Sequence, residues 1–162
     1  MKIVYILFIG LLSGFTYLDI AQVREDFKLA SKERESAFTL LEKLTSVTKE
    51  DQKVLVAYKG TVMAITAKYT KDNQERKNRF KSGVELLEYA VSQEPNNIEI
   101  RCLRLSIQEN TPKFLKYKSN LEADKLFILT NYKKTTSKAV RDFVKSYIMQ
   151  SAGFNTEEKE SL

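Results

Sequence analysis

The side chains in this sequence with the clearest potential for chemistry are carboxylates, and two pairs of them stand three positions apart. Glu85 and Glu88 would share one face of a helix, and Asp72 and Glu75 would do the same. A glycoside hydrolase uses two carboxyl groups that flank the scissile bond. Helical carboxylate pairs are also common on solvated surfaces, and 30% of this chain is charged. We therefore interpret both pairs as surface charges and predict no catalytic residue.

Other catalytic and metal-binding patterns are missing from the sequence. It contains no histidine, which removes the commonest general base near neutral pH and most zinc or copper sites. There is no glycine-rich phosphate loop and no Gly-x-Ser-x-Gly motif. The single cysteine, Cys102, stands in an apolar stretch, so we interpret it as a buried small hydrophobic residue. The sequence predicts a non-enzymatic protein without metal or cofactor.

Nearly all of the excess positive charge lies in residues 111–145. This segment has nine basic and three acidic residues, a net charge of +6 that equals the net charge of the whole chain. A positive field favours acidic partners or anionic lipid headgroups, although lysines also serve simply to keep helices soluble. No arginine-rich face or known motif points to nucleic acid. The predicted partner-binding residues are basic and aromatic ones of this segment: Tyr117, Lys118, Tyr132, Lys133, Lys134, Lys138 and Arg141.

The first 21 residues form a separate segment. An uncharged run from Ile3 to Leu18 follows Met1 and Lys2, and its densest apolar part ends at Leu12. That length suits a signal peptide and is short for a membrane span, which needs about 20 residues. We predict that residues 1–21 are a signal peptide or an uncleaved N-terminal anchor, with a buried first helix as the other alternative. The protein would then be periplasmic or secreted.

From residue 22 to residue 153 one helical pattern follows another. The last one is typical, with apolar residues at i, i+3, i+4, i+7 and i+8 from Val140 to Ile148. No stretch of useful length alternates apolar and polar residues with the period of a strand. We predict a single all-α domain over residues 22–153 and a polar, frayed tail over residues 154–162.

Capping residues predict where individual helices begin. Thr48 opens a Thr-x-x-Asp pattern, Asn96 follows a proline, and Thr111-Pro112 precedes a predicted helix from Lys113 to about Thr130. Either Thr135 or Thr136 would begin the last helix.

Small residues at helical spacing predict a close approach between two helices. A row of Ala57, Gly60, Ala64 and Ala67 runs along one helix. Glycine inside a helix costs about 1 kcal/mol relative to alanine, and room for a neighbouring helix would compensate for that cost. We therefore expect substitution of Gly60 to disrupt packing.

Residues 51–108 resemble one and a half tetratricopeptide repeats. Gly83, Leu87, Ala90, Val91 and Pro95 have the spacing of the second helix of such a repeat, and Gly60 lies at a small-residue position of the first. The chain has no tryptophan, and Lys59 stands where the motif has leucine. The resemblance implies antiparallel hairpins stacked into a short array with a concave binding surface; the alternative is a compact helical bundle. The repeat-packing residues it implies are Gly60, Gly83, Leu87, Ala90 and Pro95.

Two functions follow as hypotheses. The first is an exported, non-enzymatic helical scaffold that mediates protein–protein interaction through the stacked hairpins. The second is a membrane-associated envelope factor that uses the N-terminal apolar segment and the basic C-terminal helices. Salt-dependent binding to anionic vesicles is expected only of the second.

Overall fold

A computed structural model describes residues 18–162, so most of the predicted signal peptide or anchor lies outside the described residues. Within residues 18–162 the chain forms eight α-helices, one short 3-10 helix and no strand, which confirms the predicted all-α fold. The helices are α1 (Ile20–Ala30), α2 (Arg34–Lys43), α3 (Lys53–Ala67), α4 (Asn73–Gln93), α5 (Ile98–Asn110), α6 (Leu121–Tyr132), α7 (Lys138–Gln150) and α8 (Thr156–Glu160), with the 3-10 helix at Lys113–Leu115. The predicted domain boundary at residue 21 falls in the first turn of α1, which Asp19 caps.

Consecutive helices pack in pairs, and the odd-numbered helices form a row. The pairs are α1–α2, α3–α4 and α5–α6, of which α3–α4 is the most extensive. In addition, α1 contacts α3, α3 contacts α5, and α5 contacts α7. Because short connections reverse the chain direction between neighbours, the odd-numbered helices run the same way. Their C-terminal ends therefore lie on one side of the molecule.

Two glycines bring α3 and α4 together backbone to backbone. A Cβ atom on Gly60 would lie 2.5 Å from the carbonyl oxygen of Gly83 and 2.8 Å from the backbone nitrogen of Leu87. A Cβ atom on Gly83 would lie 2.6 Å from the carbonyl oxygen of Gly60. Leu87 and Ala90 are fully buried along the same seam, whereas Pro95 is exposed in the turn after α4. Only residues without a side chain fit where the two glycines meet.

Tyr58 of α3 joins three odd-numbered helices in the core. Its ring makes edge-to-face contacts with Phe27 of α1, at 5.2 Å between centroids, and with Phe143 of α7, at 6.0 Å. Its buried hydroxyl donates to the Oε1 atom of Glu99 on α5 at 2.7 Å. Aromatic pairs of this geometry add about 0.5–1.5 kcal/mol to the effect of burial alone. Tyr58 therefore helps to hold the row of odd-numbered helices together.

The helix breaks at Pro95 as predicted, but the residue that caps the next helix is not the predicted one. α4 ends at Gln93, and α5 begins at Ile98. Asn97, not the predicted Asn96, caps α5: its side chain accepts hydrogen bonds from the backbone N–H groups of Glu99 and Ile100, at 3.0 and 3.3 Å. The turn needs one residue more than predicted, because the Asn97 N–H closes it by donating to the carbonyl oxygen of Glu94.

Asn97→Ala is expected to lower the free energy of unfolding by about 0.5–2 kcal/mol, because two N–H groups at the start of α5 lose their acceptor. Asn96→Ala is the matched control: Asn96 is exposed and caps nothing in the described chain, so little change is expected. Urea denaturation of both variants measures the difference. Equal losses in the two variants would contradict this assignment of the cap.

The predicted helix start at Thr48 is wrong. α2 ends at Lys43 and α3 begins only at Lys53. The Asp51 carboxylate accepts hydrogen bonds from the backbone N–H of Thr48 at 2.7 Å and from its hydroxyl at 3.0 Å, and these bonds lower the pKa of Asp51. The Thr-x-x-Asp pattern therefore closes a turn in the connection between two helices.

The predicted helix from Lys113 to Thr130 is interrupted. Only a 3-10 helix follows Pro112, and Lys116 then takes a left-handed backbone conformation with φ of 52°. That conformation cannot continue a right-handed helix, so α6 starts at Leu121. The last long helix, α7, is capped by Ser137, not by Thr135 or Thr136.

The C-terminal segment is folded, contrary to the predicted frayed tail. Phe154 is only 3% exposed and packs edge-to-face against Tyr147. Asn155 and Glu158 form a reciprocal capping box at the start of α8. Glu158 also forms an ion pair with Lys125 of α6 at 2.9 Å. Together these contacts fix the polar residues that follow α7.

Candidate functional site

A groove of about 1350 Å³ opens where the C-terminal ends of α1, α3, α5 and α7 come together. Each of these helices contributes residues from its last turns, and α7 is continued by residues 151–153. The start of α4 and the segment after α5 complete the walls. The row of odd-numbered helices thus positions the groove, which combines parts of the chain that are far apart in sequence.

Much of the groove lining is apolar, and one of its aromatic residues is exposed. Phe27 and Phe143 are buried and belong to the core beneath it. Phe114, in the 3-10 helix, lines the groove with 79% of its surface exposed, and Leu115 beside it is 37% exposed. Exposed aromatic residues at the edge of a concave surface are typical of binding sites, because ligand binding removes them from water.

The groove carries more positive than negative charge. It is lined by five basic residues and one acidic residue: Lys28, Lys32, Lys68, Arg76, Lys77 and Glu109. Lys28 pairs with Glu25 at 2.7 Å, and Arg76 donates to the carbonyl oxygen of Thr70 at 3.0 Å. Within residues 18–162, Lys32 and Lys77 form no ion pair and are exposed to solvent. Their charge is therefore available to a ligand.

The only acidic residue among those lining the groove, Glu109, is already held by hydrogen bonds inside the fold. The hydroxyl of Tyr147 donates to its Oε2 atom, and the hydroxyl of Ser151 lies 2.8 and 2.9 Å from its two carboxylate oxygens. Burial raises the pKa of the Tyr147 hydroxyl, so this group stays protonated and continues to donate. Glu109 therefore organises the groove wall, and these donors partly offset its charge.

Carboxamide side chains give the groove polar groups that suit a peptide backbone. Asn73, Asn110 and Gln150 all line it and are exposed. The amide nitrogens of Asn110 and Gln150 donate to the carbonyl oxygens of Ser106 and Ser146, four residues earlier in each helix. This orients both side chains, and their amide oxygens remain free to accept hydrogen bonds from a ligand.

The seven predicted partner-binding residues do not line this groove, and several are used within the fold. Tyr132 is only 8% exposed and belongs to the core. The hydroxyl of Tyr117 donates to Glu88, and its ring contacts Phe80 at 6.1 Å between centroids. The ammonium group of Lys118 donates to the carbonyl oxygen of Glu109 at 3.1 Å. These three side chains are not arranged as one binding surface.

The other four predicted residues are the basic ones at the turn between α6 and α7. Lys133 and Lys134 are exposed, whereas Lys138 pairs with Asp142 at 2.5 Å. The guanidinium of Arg141 donates to the carbonyl oxygen of Thr135 at 2.7 Å. Only two of these cations are therefore without a partner in the described chain.

The two carboxylate pairs have structural partners. Asp72 caps α4, and Glu75 pairs with Arg79 at 2.7 Å. Glu85 lies 3.8 Å from Lys81, and Glu88 accepts from Arg104 at 2.9 Å. Residues 18–162 contain no group of three or more side chains arranged to hold a metal ion. Cys102 is buried, and burial raises the pKa of its thiol, as expected of a packing residue.

Two buried ion-pair clusters on α5 were not predicted from the sequence. Glu99 is 2% exposed and accepts from both Arg24, at 2.7 and 2.8 Å, and Tyr58. Arg104 forms a two-bond pair with Asp124 of α6, at 2.7 Å for each bond. The sequence does contain a sign of these clusters, because Glu99 and Arg104 stand within the apolar run of α5. Charged groups buried in such a run require partners.

No protein-family model matches the chain, and neither does any curated protein or solved structure. The resemblance of residues 51–108 to tetratricopeptide repeats accordingly stays a prediction. Among the helices of residues 18–162, none combines the length and the apolar composition that crossing a membrane requires.

Proposed function

We propose that this protein is a non-enzymatic helical binding protein that holds a segment of a partner protein in the groove. The observation that carries the proposal is the exposed Phe114 beside a lining that mixes apolar, amide and basic groups. A hydrophobic contact with a polar surround is the usual composition of a protein–protein interface. The stack of hairpins supplies the scaffold, and the order of contacts among α1, α3, α5 and α7 supports a tetratricopeptide-like arrangement.

The size of the groove favours a peptide over a small molecule. Pockets for small ligands and cofactors have volumes of about 300–1,000 Å³ and are largely enclosed by apolar side chains. This groove exceeds that range at about 1350 Å³, and polar side chains from four helices reach it. An extended or helical peptide would satisfy these polar groups while its apolar side chains cover Phe114 and Leu115.

The proposed location is extracytoplasmic, on the strength of the uncharged run from Ile3 to Leu18. N-terminal sequencing of the protein from its native compartment tests this directly. The membrane-associated alternative would use exposed lysines of the basic segment that form no ion pair in residues 18–162, namely Lys113, Lys116, Lys133, Lys134 and Lys145. Sedimentation with anionic vesicles is expected to leave most of the protein in solution once the N-terminal segment is removed during export.

Phe114→Ala is expected to weaken peptide binding by about tenfold or more, as for an exposed aromatic residue in an interface. Peptides are first selected from a displayed random library on the full-length protein, and their dissociation constants are then measured. Met149→Ala is the matched control: Met149 is 51% exposed on α7 but does not line the groove. Both variants should keep the melting temperature of the parent, since both side chains are largely exposed.

Two outcomes would overturn the proposal. The first is a library selection that recovers no peptide above background. The second is a set of selected peptides that bind the Phe114→Ala variant as tightly as the parent protein.

A further inference from the structure

Building on the proposed function, we infer that the segment held in the groove is an acidic peptide that also carries apolar side chains. Five basic residues line the groove against one acidic residue, and that residue is already bound by Tyr147 and Ser151. Two of the five, Lys32 and Lys77, are exposed and form no ion pair in residues 18–162, so a ligand with carboxylates would meet a net positive field. Phe114 and Leu115 supply the apolar contact for its other side chains.

The fold itself does not account for all of these cations. Lys68 follows the last turn of α3, where a positive charge is favoured by the helix dipole. Lys77 lies instead in the second turn of α4, near the positive end of that dipole, and forms no ion pair in residues 18–162. Its position brings no evident stability to α4. Its charge is therefore free to face a negatively charged ligand.

The cationic and aromatic parts of the groove are neighbours. Lys77 precedes Phe80 by three residues, so both lie on the same face of α4, and both line the groove. The ring of Phe80 contacts Tyr117, which follows Phe114 by three residues. Because Lys77, Phe80 and Phe114 all line the groove, one peptide held in it can place a carboxylate near Lys77 and an apolar side chain against Phe114.

Among anionic ligands, a peptide fits the remaining groups best. The amide oxygens of Asn110 and Gln150, which the fold leaves free, can accept hydrogen bonds from the N–H groups of a peptide backbone. The acyl chains of a lipid would leave these amides without hydrogen-bond partners, which is costly when they are buried on binding.

The test compares three peptide pools on the full-length protein. All three share the same randomised apolar positions, and the remaining fixed positions are glutamate, glutamine or lysine. Fluorescence anisotropy gives the affinity of each pool. We expect the glutamate pool to bind about tenfold more tightly than the glutamine pool at low salt, with a smaller difference at high salt. The lysine pool should bind most weakly.

Matched charge reversals locate the effect. Lys32→Glu/Lys77→Glu should remove the preference for glutamate peptides. Lys133→Glu/Lys134→Glu changes the net charge by the same amount at exposed positions outside the groove, and it should keep the preference. Melting temperatures of both double variants check that they remain folded.

The outcomes separate this inference from the proposed function. Equal binding of the glutamate and glutamine pools, or a preference that survives Lys32→Glu/Lys77→Glu, overturns the acidic peptide and leaves the groove as a peptide site. Absence of binding by every pool overturns both. Phosphatidylglycerol vesicles that bind only while Lys32 and Lys77 are intact, together with no binding of the glutamate pool, would assign the site to lipid headgroups and also overturn the inference.

Discussion

Asp124→Asn is expected to lower the free energy of unfolding by about 3–5 kcal/mol, which is the usual cost of removing one partner of a buried ion pair. The Asp124 side chain is fully buried and accepts two hydrogen bonds from Arg104 and one from Gln108 at 2.8 Å. It also forms an ion pair with Arg101 at 3.0 Å. Asparagine has almost the same shape but no charge, and its NH₂ group would face the guanidinium donors. Arg104 would then be buried with only Glu88 as a charged partner.

The electrostatics of Arg104 show why it cannot escape this cost by losing its proton. Burial alone would lower the pKa of Arg104, but the hydrogen bonds and charges of Asp124 and Glu88 raise it overall. The guanidinium therefore stays charged at any pH at which the protein is studied. Removing the opposing charge leaves this cation in a site that is 5% exposed.

Asp142→Asn provides the control, because it removes the same charge from an exposed ion pair with Lys138 on α7. Surface pairs of this type contribute about 0–1 kcal/mol, so little change in stability is expected. Urea denaturation of both variants, monitored by circular dichroism, gives the loss in the free energy of unfolding for each. Similar losses for the two variants would show that Asp124 is not buried with Arg104 in solution.

The sequence was sufficient to predict the all-α class and the close approach of another helix at Gly60, because both depend on local patterns. Helical periodicity identifies apolar stripes, and glycine inside a helix marks a position where something approaches closely. Gly60 and Gly83 meet as such a seam. Helix ends were less predictable, since Asn96 and Asn97 both suit a cap and the geometry of the turn selects between them.

The groove could not be predicted, because no local pattern describes it. Its residues come from four separate parts of the chain, residues 27–32, 64–80, 106–121 and 143–153, which only the packing of helices brings together. The excess positive charge of residues 111–145 led to a predicted binding surface outside the groove. The basic residues that line the groove lie between Lys28 and Lys77. Phe114 falls within the predicted helix from Lys113 to about Thr130, but the left-handed Lys116 interrupts that helix and Phe114 is exposed.

Gly60→Leu is expected to lower the free energy of unfolding by about 3 kcal/mol, the upper part of the usual range for overpacking. The atoms that the new side chain would meet are backbone atoms of α4, the carbonyl oxygen of Gly83 at 2.5 Å and the nitrogen of Leu87 at 2.8 Å. They cannot rotate away as a side chain would, so α3 and α4 must separate. For a domain of this size, 1 kcal/mol corresponds to about 2–4 °C in melting temperature, so a decrease of about 6–12 °C is expected.

Ser82→Leu is the matched control, since Ser82 precedes Gly83 on α4 but is exposed. It adds a side chain of the same size to the same helix and should change the melting temperature little. A Gly60→Leu variant that melts with the parent would mean that Gly60 faces solvent and that α3 and α4 do not meet there. The double variant Gly60→Leu/Gly83→Leu tests whether the two glycines take part in the same helix contact. Both glycines face the same contact, so once one substitution has separated the helices, the second costs less than it does alone.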